Sequence, residues 1–169
     1  LNYQHGGALD AWGSAETLKI LQERFGYIFE PYREINPQFW RPCLSPNVID
    51  GPFSIGDIDI QPFIQEHGRM PSLGFRFGSF AYSTDVKRLP EHAFELLDGI
   101  DVWIVDALSD NPHPTHSHVE QTLGWIERIG PRRAILTHLS HRTDYARLAA
   151  RLPVGVEPGQ DGLVIHVPE

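Results

Sequence analysis

The sequence has one cysteine, Cys43, so no disulfide can form within it. A reducing, cytoplasmic setting is the expectation, with Cys43 a buried or half-exposed thiol without a role. No apolar run approaches the roughly eighteen residues of a membrane-spanning helix, and no spanning segment is expected. Basic residues are outnumbered: 14 Lys and Arg face 22 Asp and Glu, for a formal charge of -8. Phosphate-backbone binding rests on clustered Lys and Arg, so a nucleic-acid partner is not expected. The chain opens on Leu1 with no initiator methionine and no signal-peptide pattern, which reads as a fragment or a processed product. Internal repeats and low-complexity tracts are missing as well.

What is present describes an ordinary globular chain. Its 169 residues, 41% hydrophobic and 11% aromatic, suffice for one domain with a core. Residues 15–25 space Leu18, Leu21 and Phe25 as a helix, with Ser14 as its N-cap. Five prolines between 30 and 53 forbid a long helix and suggest a packed surface loop or a substrate-covering flap. From 53 to 86 the pattern is β: Ile58 and Ile60, Phe75 and Phe77, and Phe80 and Tyr82 alternate with their neighbours, and Gly56, Gly74 and Gly78 read as turns or bulges. Alternating elements follow: a helix at 90–98, the strand "DVWIVDA", a helix at 118–129, a strand at 133–137, a helix at 144–151 and a terminal strand "GLVIHV". Ser117 and Glu120 have capping-box spacing, and Gly130-Pro131 stops that helix. Hairpins followed by β-α-β units imply a layered α/β sandwich.

Nine histidines are many for this length, and five of them fall between 113 and 141. His67, Asp85, His116 and His138 each stand at a strand end or a helix start, in "PFIQEHG", "AYSTDV", "NPHPTHSH" and "AILTHLSH". Such junctions gather at one rim of a layered α/β fold, and imidazole with carboxylate suits zinc, manganese or iron. Each residue also has a plainer explanation: His67 a loop histidine, Asp85 a turn former, His116 a helix-entry residue, His138 a structural histidine. A helix N-terminus beside His116 favours the neutral ring. His113, His118, His141 and Asp106 are near enough in sequence to orient ligands from behind, or are simply solvated or structural. His5, His92 and His166 show no constellation, and Asp144 reads as the start of the last helix.

Taken together, "GFRFGSFAYSTDV", "VWIVDAL", "PHPTH", "RAILTHLSH" and "DGLVIHV" resemble the metallo-β-lactamase-fold hydrolases over roughly residues 15–169. The resemblance is to the phosphoribosyl 1,2-cyclic phosphate phosphodiesterase branch, and more distantly to tRNA 3′-processing ribonucleases. It implies an αββα sandwich, here incomplete in its N-terminal half because the family's upstream H-x-H-x-D-H is absent. It also implies two divalent ions, manganese or zinc, with His67 and His138 as ligands, Asp85 bridging, and His116 acting on the substrate or leaving group. A metal-bridged hydroxide would attack phosphorus in a small cyclic phosphate or related phosphodiester. With the upstream motif missing, tight metal binding by this chain alone is not expected.

Two other readings stay open: a half-domain without catalysis serving as a binding or assembly module, and a same-fold hydrolase of a thioester or RNA end. An incomplete sandwich leaves apolar sheet surface uncovered, so a homodimer is an expected arrangement.

Overall fold

The structure, a computed structural model, describes residues 6–30 and 43–167. The chain divides into two compact units, Leu1–Pro52 and Phe53–Glu169. In the first, β1 (Leu9–Gly13) pairs in parallel with β2 (Leu44–Val48). Between them in sequence runs α1 (Ala15–Phe25), capped by Ser14, whose hydroxyl accepts from the Thr17 N–H at 3.2 Å. Leu18 is its buried residue. Half of the proline-rich stretch read as a loop or flap, residues 31–42, lies outside the described residues, and Leu44–Val48 within it is a strand.

The second unit is built on a seven-stranded sheet in sequential order, β3 to β9. Its antiparallel part comprises β3 (Phe53–Ile55), β4 (Ile58–His67), β5 (Met70–Phe77) and β6 (Phe80–Ser83). From β6 the ladder turns parallel through β7 (Val102–Asp106), β8 (Arg133–Thr137) and β9 (Val156–Pro158). Parallel neighbours need crossovers, and these are supplied by α2 (Glu91–Leu97), α3 (Val119–Ile129) and α4 (Tyr145–Ala149). The core gathers Phe63, Val86, Leu97, Trp103, Val105 and Leu136, with Ile126 of α3 and Leu148 of α4 packed into it. This mixed α/β arrangement agrees with the layered class expected from the sequence.

Three expectations differ from the structure. First, α3 does not start from a Ser117 capping box: its N-cap is His118, without a side-chain hydrogen bond. Ser117 is fully buried and donates its hydroxyl to the Asp106 carbonyl at 2.6 Å, so it ties the loop to β7 instead. Second, "GLVIHV" forms no strand: β9 occupies the ladder position beside β8, and Val164 stands 71% exposed. Third, Gly74 is no turn or bulge but an interior residue of β5 opposite Phe63, where a Cβ would come within 2.3 Å of the phenyl ring. The sequence assigned no core face to the alternation at 80–83; in the structure that face is Ala81 and Ser83, while Tyr82 points away and is 37% exposed. Alternation alone does not say which face meets the core when both are apolar.

Candidate active site

Three of the candidate side chains come from the ends of adjacent parallel strands. Asp85 follows β6, Asp106 ends β7 and His138 follows β8. The carboxyl ends of parallel strands are where α/β sheets place ligands. His67 arrives from the antiparallel side as the last residue of β4, and His116 from the segment entering α3. The structure thus brings His67, Asp85, His116 and His138 together.

Asp85 is the meeting point. His67 Nε2 lies 3.8 Å from its Oδ2, and His138 Nδ1 lies 3.3 Å from its Oδ1. One ligand atom from each of His67, Asp85 and His116 falls within 4.8 Å of the others. The His116 ring stacks on His138 at 4.5 Å between centroids and meets the edge of His67 at 4.7 Å. His138 has φ 59°, the one described non-glycine residue with positive φ. Left-handed backbone is uncommon for such residues and gathers at functional sites.

The histidine tautomers follow from their partners. His67 Nδ1 donates to the Thr115 carbonyl at 2.8 Å, which leaves the Nε2 lone pair facing Asp85. His116 Nδ1 donates to Asp106 Oδ2 at 2.8 Å, leaving its own Nε2 free. Asp106 is fully buried, and the same Oδ2 accepts from the Val86 N–H at 3.0 Å. Its carbonyl takes hydroxyl hydrogen bonds from both Ser117 and Thr122. Burial pushes the Asp106 carboxyl above its ordinary value, opposed by the hydrogen bonds from His116 and Val86. The N-terminus of α3 is one residue farther from His116 than the capping-box reading placed it, and the Asp106 contact is the more direct influence on the ring.

The remaining candidates separate. The His113 ring lies 5.2 Å from that of His116 and its Nδ1 takes the Thr115 N–H. No hydrogen bond, ion pair or ring contact joins His118 or His141 to the cluster among the described residues; His118 caps α3 and His141 is exposed. Asp144 caps α4, accepting from the Arg147 N–H at 2.8 Å. His5 lies outside the described residues. Sequence reasoning missed Thr115, though it sits inside the quoted "PHPTH". It also missed Ser72, whose hydroxyl donates to the Asp85 carbonyl at 2.5 Å and which no pattern singled out.

A family model, the beta-lactamase superfamily domain, matches residues 1–139. The chain belongs to the beta-lactamase superfamily. Among solved relatives of this superfamily chain is a diphosphatase of the PhnP family, 28% identical, with TM-score 0.82 over 94% of this chain and 58% of that one. Human tRNase Z, short form, shares the fold at 17% identity and TM-score 0.63, covering 96% of this chain and 69% of the other. An octanoyltransferase of Porphyromonas gingivalis (strain ATCC BAA-308 / W83) is 28% identical over 99% of this chain. The chain spans 37% of that curated relative's length. It is therefore a metallo-β-lactamase-fold chain of a hydrolytic superfamily, resembling the PhnP branch. The fold implies divalent metal ions, and the donor set fits them: an Nε2 lone pair set free by a backbone contact converges with a carboxylate and further imidazoles.

Proposed function

We propose that this chain forms part of a metal-dependent phosphodiesterase acting on a small phosphorylated substrate. The observation that carries the reading is Asp85, each of whose oxygens faces a different histidine, His67 and His138. That is the arrangement a bridging carboxylate needs. His67, Asp85 and His138 would hold manganese or zinc. When bound, such ions supply Lewis acidity at the phosphoryl oxygens and a more acidic water. Two ions need more donors than these residues offer, so the rest of the protein or a second copy would complete their coordination.

The chain's own residues account for the remainder. Thr115 fixes the His67 ring through its carbonyl, and Ser72 anchors the backbone at Asp85. Asp106 holds one His116 proton on Nδ1, so Nε2 is turned to the substrate. As the bond from phosphorus to the leaving oxygen breaks, its electron pair stays on that oxygen. Water supplies the new bond to phosphorus, and the proton it gives up passes through the free His116 Nε2 to that oxygen. The PhnP-family diphosphatase likeness supports a phosphorus centre over a carbonyl one.

The test uses the whole protein and bis(p-nitrophenyl) phosphate with manganese or zinc. His67→Ala and Asp85→Ala should each abolish metal-dependent hydrolysis, and activity retained in either variant refutes the assignment. The metal-to-chain ratio after loading and desalting separates this from the alternative of a non-catalytic assembly module. A ratio near zero in the whole protein favours that module.

A further inference from the structure

Gln65 lies on the inward face of β4 with Phe63, just before His67, and is fully buried. Burying an amide costs stability unless its donors and acceptors are engaged, and only one end of this one is. Nε2 donates at 3.3 Å to the hydroxyl oxygen of Ser72, its cross-strand partner on β5. Oε1 has no hydrogen-bond partner among the described residues. Ser72 dictates that orientation. It has one hydroxyl hydrogen and gives it to the Asp85 carbonyl at 2.5 Å, so its oxygen can only accept from Gln65. Gly74 makes room for the amide, since a Cβ there would stand 2.7 Å from Gln65 Oε1.

The peptide group joining Asp85 to Val86 is gripped on both sides. Ser72 holds its carbonyl, and its N–H donates to Asp106 Oδ2, the same oxygen that accepts from His116 Nδ1. A hydrogen-bond chain thus runs behind the site from Gln65 through Ser72, that peptide and Asp106 to His116. Members of such a chain orient and strengthen one another. A methionine would fill the same place in the core without an unpaired oxygen, so packing gives no reason for an amide here.

We infer that Gln65 is a positioning residue for Asp85. Its N–H leaves the Ser72 hydroxyl one direction, toward the Asp85 carbonyl, and so fixes the peptide from which the carboxylate faces His67 and His138. The inference rests on the reading of Asp85 as a carboxylate that bridges metal ions.

Gln65→Met keeps the volume and removes both polar ends of the amide. In the metal-free whole protein its urea midpoint should equal or exceed that of the parent. Manganese binding, followed by calorimetry, should be about tenfold weaker. Ser72→Ala should weaken it by a similar factor. Adding Gln65→Met to Ser72→Ala should then change it by less than about twofold, because Gln65 acts through that hydroxyl. Unchanged affinity in Gln65→Met, or a further loss of about tenfold in the double variant, overturns the inference. So does a lowered midpoint with affinity intact, the signature of a purely structural amide. Should Gln65→Met fail to fold, the shorter Gln65→Leu carries the same test. Asp85→Ala separates this inference from the reading beneath it. Manganese binding that is missing in the parent, or that survives Asp85→Ala, refutes the metal assignment and this inference with it. Binding lost in Asp85→Ala and kept in Gln65→Met refutes this inference alone. If manganese binds but bis(p-nitrophenyl) phosphate is not hydrolysed, the phosphodiesterase reading fails while the affinities still decide the role of Gln65.

Discussion

Alanine at position 68 would set a methyl group 2.6 Å from Thr115 Cγ2, at a backbone φ of +66°. Both facts cost stability, and they can be separated. The left-handed backbone costs an alanine about 1–2 kcal/mol, and the steric overlap about 1–3 kcal/mol. Gly68→Ala should therefore lose about 2–5 kcal/mol in urea denaturation. The overlap is with a single methyl group, which Thr115→Ser removes. Serine keeps the hydroxyl that contacts His113 Nδ1 at 3.2 Å. In the double variant the overlap disappears and the backbone cost remains, so a double-mutant cycle should show a coupling of about 1–3 kcal/mol. Thr115 also offers the carbonyl that holds His67 Nδ1. Displacing it should weaken metal affinity about 10- to 100-fold, with recovery in the double variant. Additivity within about 0.5 kcal/mol, or full metal affinity in Gly68→Ala, would refute the claim that this turn holds His67 in place.

Burial holds the Asp106 carboxyl above its ordinary 3.8, so the folded chain binds that proton more tightly than the unfolded one. Its contribution to stability is present in full below 3.8 and is lost as pH rises through the higher folded-state value. Asp106→Asn can still accept the two hydrogen bonds that converge on Oδ2. Its stability relative to the parent should rise with pH above 3.8 while hydrolysis falls, and a pH-independent difference in urea midpoint contradicts this. Ser83→Ala should cost about 1–3 kcal/mol by thermal or urea unfolding, because the buried Trp103 indole N–H that donates to Ser83 Oγ at 3.0 Å is left without a partner. An unchanged midpoint would show that the indole finds another acceptor.

Most elements were legible because their signals are local. Ser14 and the spacing of Leu18 and Leu21 define α1, and Gly130-Pro131 stops α3 with a left-handed cap at φ 68°. What escaped depends on distant partners. Ser117 has the right spacing for a cap, but a carbonyl on β7 claims its hydroxyl. The apolar alternation of "GLVIHV" suits a strand, yet a ladder exists only where a neighbouring edge is open, and β9 had taken it. At the site, the strand-end positions of His67, Asp85 and His138 could be read from apolar runs that stop beside them. Their convergence could not, since it is a property of the sheet order. Thr115 acts through its backbone carbonyl and Ser72 through a contact 13 residues away, so neither leaves a pattern in composition or spacing.

The end of β4 is tied to the parallel half of its unit at a few points. Glu66 exchanges backbone hydrogen bonds with Lys87 and Arg88, and His67 reaches Thr115. Asp85, Asp106 and His138 keep their spacing as long as β6, β7 and β8 stay in register, whereas His67 travels with the β4–β5 hairpin. Local opening costs less than global unfolding wherever few bonds cross a boundary. A cation held by His67 and Asp85 would therefore act as a clasp across that boundary, slowing amide exchange at Glu66 and Lys87 before it stabilises the core.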